Sequence, residues 1–257
     1  MTDYVELQVT SNFSFLRGAS HPEELVVQAA ALGQGVIAIT DRNTLAGIVQ
    51  AYKAAKEQGS RVIIGCRLDL EDRSSLLCYP TDTAAYGRLC RLLTHGKRRA
   101  GKGECRLTYA DVVAHGEGQI VVAVPPERFD AGFASYLVEL RRDFGSRAYL
   151  GAQHLYRGDD AKRLHRLALL AERSGLKLVA LNDVLYHVPE RRPLQDVVTC
   201  IRERCTIAEA GLRLMAHAER HLKSADEMAR LFRRHPEAVA HTADIAGRCG
   251  FSLEDLC

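Results

Sequence analysis

A long hydrophobic run is the first feature that this sequence lacks. None of its apolar stretches approaches the ~18 residues that a membrane-spanning helix needs, which argues against an integral helical membrane protein. The first residues, Met1 to Glu6, also lack a basic region followed by an apolar one, so they do not resemble a secretory signal peptide. We therefore expect a cytoplasmic protein with no membrane partner.

The signature motifs of several enzyme classes are absent as well. The chain contains no glycine-rich phosphate loop before a helix, no GxSxG and no CxxC pair. Its eight cysteines are scattered along 257 residues, which favours reduced thiols over a disulfide framework. The net charge of +3 is too small to establish a nucleic-acid partner. The composition is that of an ordinary globular protein of one large or two small domains.

Two apolar runs are the most informative features of the sequence. Residues 36–41 read VIAITD and residues 178–183 read LVALND. Such runs are typical of strands buried on both faces of a parallel sheet, and each follows an amphipathic helix closed by glycine. Because α/β barrels and open parallel sheets keep their sites at the carboxyl ends of the strands, Asp41 and Asp183 are the first candidate site residues.

Similar patterns divide the rest of the chain into two parts. We predict further single strands at 4–10, 62–65, 119–124 and 148–153. A strand pair is predicted within 68–79, and helices are predicted between most of these strands. After Pro189 only helices are predicted, at about 190–204, 207–218, 224–233 and 236–249. Residues 1–188 are therefore expected to form an α/β barrel and residues 189–257 a helical extension. The chain ends without a helix stop signal, so we expect a piece of a longer protein.

Four stretches resemble motifs of the PHP (polymerase and histidinol phosphatase) domain. They are 6–18 (ELQVTSNFSFLRG), 39–47 (ITDRNTLAG), 63–67 (IIGCR) and 181–185 (LNDVL). The spacing is similar to the PHP domain that opens the alpha subunit of bacterial C-family (DnaE-type) DNA polymerase III. The segments that begin at His221 and Pro236 resemble the connection from that domain to the polymerase body. Residues 96–105 and 189–202 are similar to the error-prone, damage-inducible (ImuC-like) branch.

The resemblance implies a fold and a function for the whole protein. The fold would be a distorted TIM-like (β/α)7 barrel followed by the helical extension. The full-length polymerase would extend a DNA primer-template during translesion synthesis in the cytoplasm, beside other mutasome proteins. Its catalytic carboxylates and their Mg²⁺ would lie in a palm beyond Cys257. For the present chain we expect a docking module without a cofactor.

Active PHP domains hold metal ions in a cluster of His, Asp and Glu, and the matching positions here are mostly unsuited to that task. Asp183 alone keeps a ligand type, and the other matching positions are Gln8, Thr10, Arg17, Arg42, Arg67 and Leu185. A guanidinium is always protonated and only donates, so it cannot ligate a cation. Catalytic metal sites need at least three good ligands and a supporting shell. We therefore expect no metal site and no catalytic residue.

Several interpretations of these residues stay open. The arginines Arg17, Arg42 and Arg67 either pair with Asp41, Asp183 and nearby carbonyls, replacing metal bridges, or bind an anion such as phosphate. Asp41 is expected to cap the next helix or to pair with an arginine.

Two functional alternatives remain beside the docking module. A phosphoesterase or proofreading exonuclease would need a rearranged metal site built from Asp41, Asp183, His187 and His154. A nucleic-acid-binding module would use the basic loop 97–106, which is otherwise a solvated loop.

Overall fold

The computed structural model describes residues 3–256, and its strands form a barrel in two hydrogen-bonded pieces. The seven strands of this region are β1 Val36–Ile39, β2 Arg61–Ile64, β3 Cys66–Leu68, β4 Leu76–Pro80, β5 Gln119–Ala123, β6 Ala148–Gln153 and β7 Lys177–Leu181. β1 and β2 form one parallel pair, and the larger sheet has the order β3-β4-β5-β6-β7. β4 runs antiparallel to both of its neighbours, whereas β5, β6 and β7 are parallel.

The segment at residues 4–10, predicted as a strand, closes the barrel through isolated bridges. Glu6 pairs with Ile37 of β1, and Val9 pairs with Val184 just after β7. At the other junction β2 continues through Gly65 into β3, so the same stretch of chain touches both sheets. The predicted distorted TIM-like barrel is therefore confirmed.

Helices cover the outside of the barrel, and side-chain caps mark where three of them begin. In this half of the chain they are α1 Pro22–Ala31, α2 Ile48–Gln58, α3 Thr83–Arg98, α4 Tyr109–Ala114, α5 Ala131–Phe144 and α6 Asp160–Ser174. Asp82, Thr108 and Asp130 each accept a hydrogen bond from a backbone N–H of the first turn of their helix. Helix α3 extends to Arg98, so the basic segment 97–106, which was expected to be a loop, begins inside a helix.

The second half contributes helices and short 3₁₀ turns. The helices are α7 Arg192–Glu203, α8 Ile207–Ala210, α9 Ala225–Leu231 and α10 Pro236–Arg248, and the 3₁₀ turns of the chain lie at Gly145–Arg147, Pro189–Arg191, Gly211–Arg213 and Leu253–Leu256. The predicted helix at 207–218 is wrong, because α8 ends before Gly211, which adopts φ +51°. Among the helices of residues 3–256, none is long and apolar enough to cross a membrane.

Alternating strand residues separate the interior of the barrel from the layer beneath the helices. Leu77, Ile120 and Val122 lie in the cluster inside the barrel, whereas Leu76 and Val121 pack outward with the helices. The helices after residue 188 join these same clusters through Met228, Phe232, Val239, Ile245 and Ala246. The domain boundary at residue 188 stays a prediction, and the extension packs on the barrel as part of its core.

Candidate functional site

Asp183 lies at the barrel mouth, two residues after the end of β7. Its carboxylate accepts a hydrogen bond from Gln8 Nε2 at 2.9 Å and pairs with the guanidinium of Arg220. Arg67 Nη1 lies 3.8 Å from Asp183 Oδ1, and Arg220 Nε donates to the main-chain oxygen of Asp183 at 2.6 Å. Gln153 Nε2 donates to Gln8 Oε1 at 2.7 Å, which orients the Gln8 amide toward the carboxylate. One acidic side chain is thus surrounded by donors.

These donors decide the charge of Asp183. Burial alone would raise the pKa of this carboxyl, but the positive charges of Arg220, Arg67 and Arg42 hold the pKa below its usual value. The carboxylate is therefore ionised, and its oxygens are engaged by two guanidinium groups and one amide.

A second carboxylate, Asp69, extends the network toward solvent. Arg42 Nη1 donates to Asp69 Oδ2 at 2.8 Å, and Arg67 Nε donates to Asp69 Oδ1 at 3.1 Å. Ser75 Oγ also donates to Oδ1 at 2.6 Å. Burial would raise the pKa of Asp69, yet the charges of Arg42 and Arg67 lower it. Arg67 thereby bridges Asp69 and Asp183.

Asp41 is held in a different way from the one expected. It accepts hydrogen bonds from Ser11 N at 2.8 Å, Ser11 Oγ at 2.7 Å and Ser14 Oγ at 2.6 Å. Burial raises the pKa of its carboxyl, against the effect of these hydrogen bonds. The expectation that Asp41 caps the next helix or pairs with an arginine is wrong. Helix α2 begins at Ile48 without a side-chain cap, and the preceding serine-containing loop satisfies the carboxylate instead.

Arg17 stands apart from the other two arginines. It is exposed, and its guanidinium makes no hydrogen bond or ion pair to any residue in 3–256. Burial of part of the side chain, with the charges of Arg42 and Arg202, lowers its pKa. Arg17 and Arg42 line a cleft of ≈ 550 Å³ whose far wall is formed by residues 103–106 of the basic loop. The cleft continues into one of ≈ 520 Å³ that Lys97 and Lys102 line.

Two matched motif positions have lost any side-chain role at the mouth. Thr10 is buried and donates its backbone N–H to Val184 O at 2.9 Å. Leu185 packs with Ala19 and Tyr186 in a small apolar cluster. Neither side chain offers a ligand to the Asp183 network.

The structure does not bring the four weak metal candidates together. His187 Nδ1 lies 2.7 Å from Ser20 Oγ, and His154 Nδ1 is buried without a hydrogen-bond partner beside the ring of Tyr156. Across residues 3–256 there is no group of three or more His, Cys, Asp or Glu side chains that could hold a metal ion. A cation at Asp183 would have to displace guanidinium groups, so the donor set does not fit the metal cluster of active PHP domains.

Three residues of the Asp183 network were not predicted from the sequence. Asp69 follows Arg67 by two residues at a strand end, and that period places both side chains on one side, so the signal was available. Gln153 ends strand β6 at the same edge of the barrel. No sequence pattern indicated Arg220. The β-bridge between His221 and Tyr186 brings this part of the chain back to the barrel mouth, beside Asp183.

Sequence comparisons with known proteins show the family of this chain. The profile of the PHP domain family matches residues 6–136, just over half of the chain. Error-prone DNA polymerase from Caulobacter vibrioides is 56% identical over 254 residues, which are 98% of this chain and 24% of the relative. Error-prone DNA polymerase 1 from Agrobacterium fabrum is 54% identical over 253 residues, again 98% of this chain and 23% of the relative. The chain thus spans about a quarter of the length of these curated relatives.

Solved structures share the fold at low sequence identity. A putative metal-dependent phosphoesterase from Bifidobacterium adolescentis superposes with a TM-score of 0.54 at 19% identity, covering 70% of this chain and 86% of the other. An amidohydrolase from Chromobacterium violaceum, with bound sulfate and no metal, gives a TM-score of 0.50 at 20% identity, covering 71% and 87%. The resemblance drawn from the sequence motifs is confirmed, and the chain belongs to the PHP domain family.

Proposed function

We propose that this chain is the PHP module of an error-prone DNA polymerase. The support is its match, over 98% of its length and at 49–56% identity, to several error-prone DNA polymerases. The whole protein would then extend a primer-template from deoxynucleoside triphosphates across damaged DNA, in the cytoplasm and beside mutasome proteins. Its Mg²⁺-dependent palm would lie in the three quarters of the polymerase that this chain does not span.

Within that polymerase we propose that the module is structural rather than catalytic. The observation that carries this proposal is the state of Asp183, the one matched position that keeps a metal-ligand side chain. Arg67, Arg220 and Gln8 already engage its carboxylate. Buried charges that are paired and hydrogen-bonded in this way hold neighbouring segments together, here the segment at 4–10, β3 and the chain after β7.

A nuclease assay and metal analysis test the structural role together. The purified chain is incubated with Zn²⁺ and Mn²⁺, desalted and analysed by plasma mass spectrometry, and the same samples are assayed for 3′–5′ exonuclease and phosphoesterase activity. We expect substoichiometric metal and no activity. Two or more tightly held ions per chain, with metal-dependent cleavage, would support the alternative enzyme, whose ligands would then include His154 and His187.

The cleft beside Arg17 supports a second candidate function, the binding of an anion. Arg17 has no partner in the described part of the chain, whereas Arg42 is paired with Asp69, and Arg67 is paired with Asp69 and Asp183. An inorganic phosphate or a phosphodiester would supply the acceptor that the exposed guanidinium of Arg17 lacks. Fluorescence anisotropy with a labelled primer-template tests the nucleic-acid form of this function, for which the affinity must fall as salt rises.

A further inference from the structure

Helix α7 has its polarity reversed. The side chains that it buries are those of Gln195, Thr199 and Cys200. The apolar residues Val197 and Ile201 of the same helix are 41% and 57% exposed. Scattered exposed apolar residues are normal on a protein surface, but a helix that turns its polar side inward and its apolar side outward is not.

Exposed apolar residues cluster on α7 and on the chain that follows it. We use the name apolar stripe for five exposed residues, Leu194, Val197, Ile201, Ile207 and Leu212. The first three follow the i, i+3, i+7 spacing of one helix face. Val197, Ile201 and Ile207 border a groove of ≈ 450 Å³. Five of the twelve large exposed apolar residues in the described chain thus lie within nineteen consecutive positions, and the other seven are spread over the rest.

Hydrogen bonds to the barrel mouth lock α7 in this orientation. Gln195 Nε2 donates to Arg17 O at 2.9 Å, and Arg202 Nη1 donates to Leu16 O at 2.9 Å. Rotating α7 to bury the apolar stripe would break both bonds and expose the loop that carries Ser14 and the donors to Asp41. The stripe therefore stays exposed unless something outside residues 3–256 covers it.

We propose that the apolar stripe is the surface on which the rest of the polymerase chain packs. The inference rests on the proposed function, which supplies the occupant. About three quarters of the length of the matched polymerases lies outside this chain, and within that length an apolar face that covers the stripe is to be expected. The stripe lies beside the mouth, so the contact also holds α7 against the loop at 11–18.

Carbene footprinting of the full-length polymerase and of the isolated chain tests this placement, since it labels side chains according to their exposure. Ile201→Lys is the variant, because it puts a charge in the middle of the stripe. Val138→Lys on α5 is the matched control, because Val138 is also β-branched and 56% exposed. Thermal unfolding of both variants of the isolated chain checks that the lysines leave the fold intact.

We expect residues 194–212 to be labelled several-fold less in the full-length protein than in the isolated chain. Ile201→Lys should remove that protection, and Val138→Lys should keep it. Equal labelling in both proteins, with normal primer extension by the full-length one, overturns the docking surface and leaves the proposed function standing. Absence of primer extension counts instead against the proposed function. Protection of the isolated chain that grows with its concentration would mean that a second copy covers the stripe, which also overturns the proposal.

Discussion

Asp41 and Asp183 begin from almost the same sequence, and the pKa values of their carboxyl groups shift in opposite directions. Each follows a polar residue after an apolar strand, each is buried, and each lies at the mouth of the barrel. Asp41 receives neutral donors from Ser11 and Ser14, whereas Asp183 faces the guanidinium groups of Arg67 and Arg220. The pKa of Asp41 is raised by its burial, and that of Asp183 is lowered against its burial.

Burial alone therefore does not decide in which direction the pKa of a strand-end carboxylate shifts. Hydroxyl and amide donors compensate only part of the cost of removing an ionised group from water, whereas two nearby cations outweigh that cost. At Asp183 the cations are side chains of the protein. The same position therefore joins chain segments through ion pairs, and a metal ion bound there would have to displace guanidinium groups.

Charge removal at the two aspartates gives the largest expected contrast. Asp183→Asn keeps the shape of the side chain and tolerates the φ of +53° at this position, but leaves Arg67 and Arg220 short of a counter-charge. We expect a loss of about 3–5 kcal/mol in the free energy of unfolding. Asp41→Asn removes no ion pair and should cost about 1–3 kcal/mol. Urea unfolding at neutral pH measures both.

Equal losses in the two asparagine variants would contradict the contrast between Asp41 and Asp183. They would mean that hydrogen bonding, and not charge pairing, accounts for the stability at the mouth. Arg220→Met sharpens the result, because it removes one of the two cations while Arg67 remains near the carboxylate.

Glu6 extends the comparison to a third buried carboxylate. Tyr4 Oη donates to Glu6 Oε2 at 2.7 Å and Gln8 N donates to Oε1 at 3.0 Å. Burial raises the pKa of Glu6 from 4.5 to about 7, although these donors and the charge of Lys223 oppose the shift. The native state therefore holds a proton that the unfolded state has released, so stability is present below pH 4.5 and falls as the pH rises through about 7.

The loss through this group is about 3 kcal/mol across that pH window. Glu6→Gln should flatten the corresponding part of a plot of unfolding free energy against pH. Glu57→Gln, at an exposed position on α2, should leave the slope as it is. If the wild-type chain and Glu6→Gln give parallel curves, Glu6 is ionised in the fold, as Asp183 is.

The strands could be predicted because they depend on local sequence pattern. The mouth residues that match family motifs could be located for the same reason. The apolar run at 148–153 became β6 with the predicted bounds, and Asp183 lies two residues after the end of β7. Asp69 was predictable in principle from its spacing to Arg67.

Arg220 could not be predicted, because its position depends on a tertiary return of the chain. The segment that carries it follows Gly211, where the left-handed backbone ends the helix that the sequence pattern continued to residue 218. Nor did periodicity reveal which face of α7 points inward, since the usual rule assigns the apolar face to the core.

Arg67 is paired with carboxylates, whereas Arg17 has no partner in residues 3–256 and is free to bind an anion. The stabilisation by phosphate that tests this difference is expected to be smaller than the effects above. If the cleft binds phosphate with millimolar affinity, a tenfold excess of phosphate over the dissociation constant stabilises the chain by about 1.4 kcal/mol. Arg17→Ala should abolish most of the resulting thermal shift, whereas Lys177→Ala, an exposed cation at the opposite end of β7, should not. Chloride at equal ionic strength controls for screening. No response to millimolar phosphate would leave Arg17 as a solvated side chain.

Removal of divalent metal should have the smallest effect. A ligand stabilises a protein only when it binds the native state, and the oxygens of Asp41 and Asp183 are already engaged by hydroxyl and guanidinium donors. We therefore expect EDTA to change the melting temperature by less than about 1 °C, within the variation of such measurements. A drop of several degrees that Zn²⁺ or Mn²⁺ restores would show that a metal contributes to the fold. The contrast between the two aspartates would then hold only for the metal-free chain. In the metal-bound chain the cation would have displaced Arg220, and Asp183 would be a metal ligand.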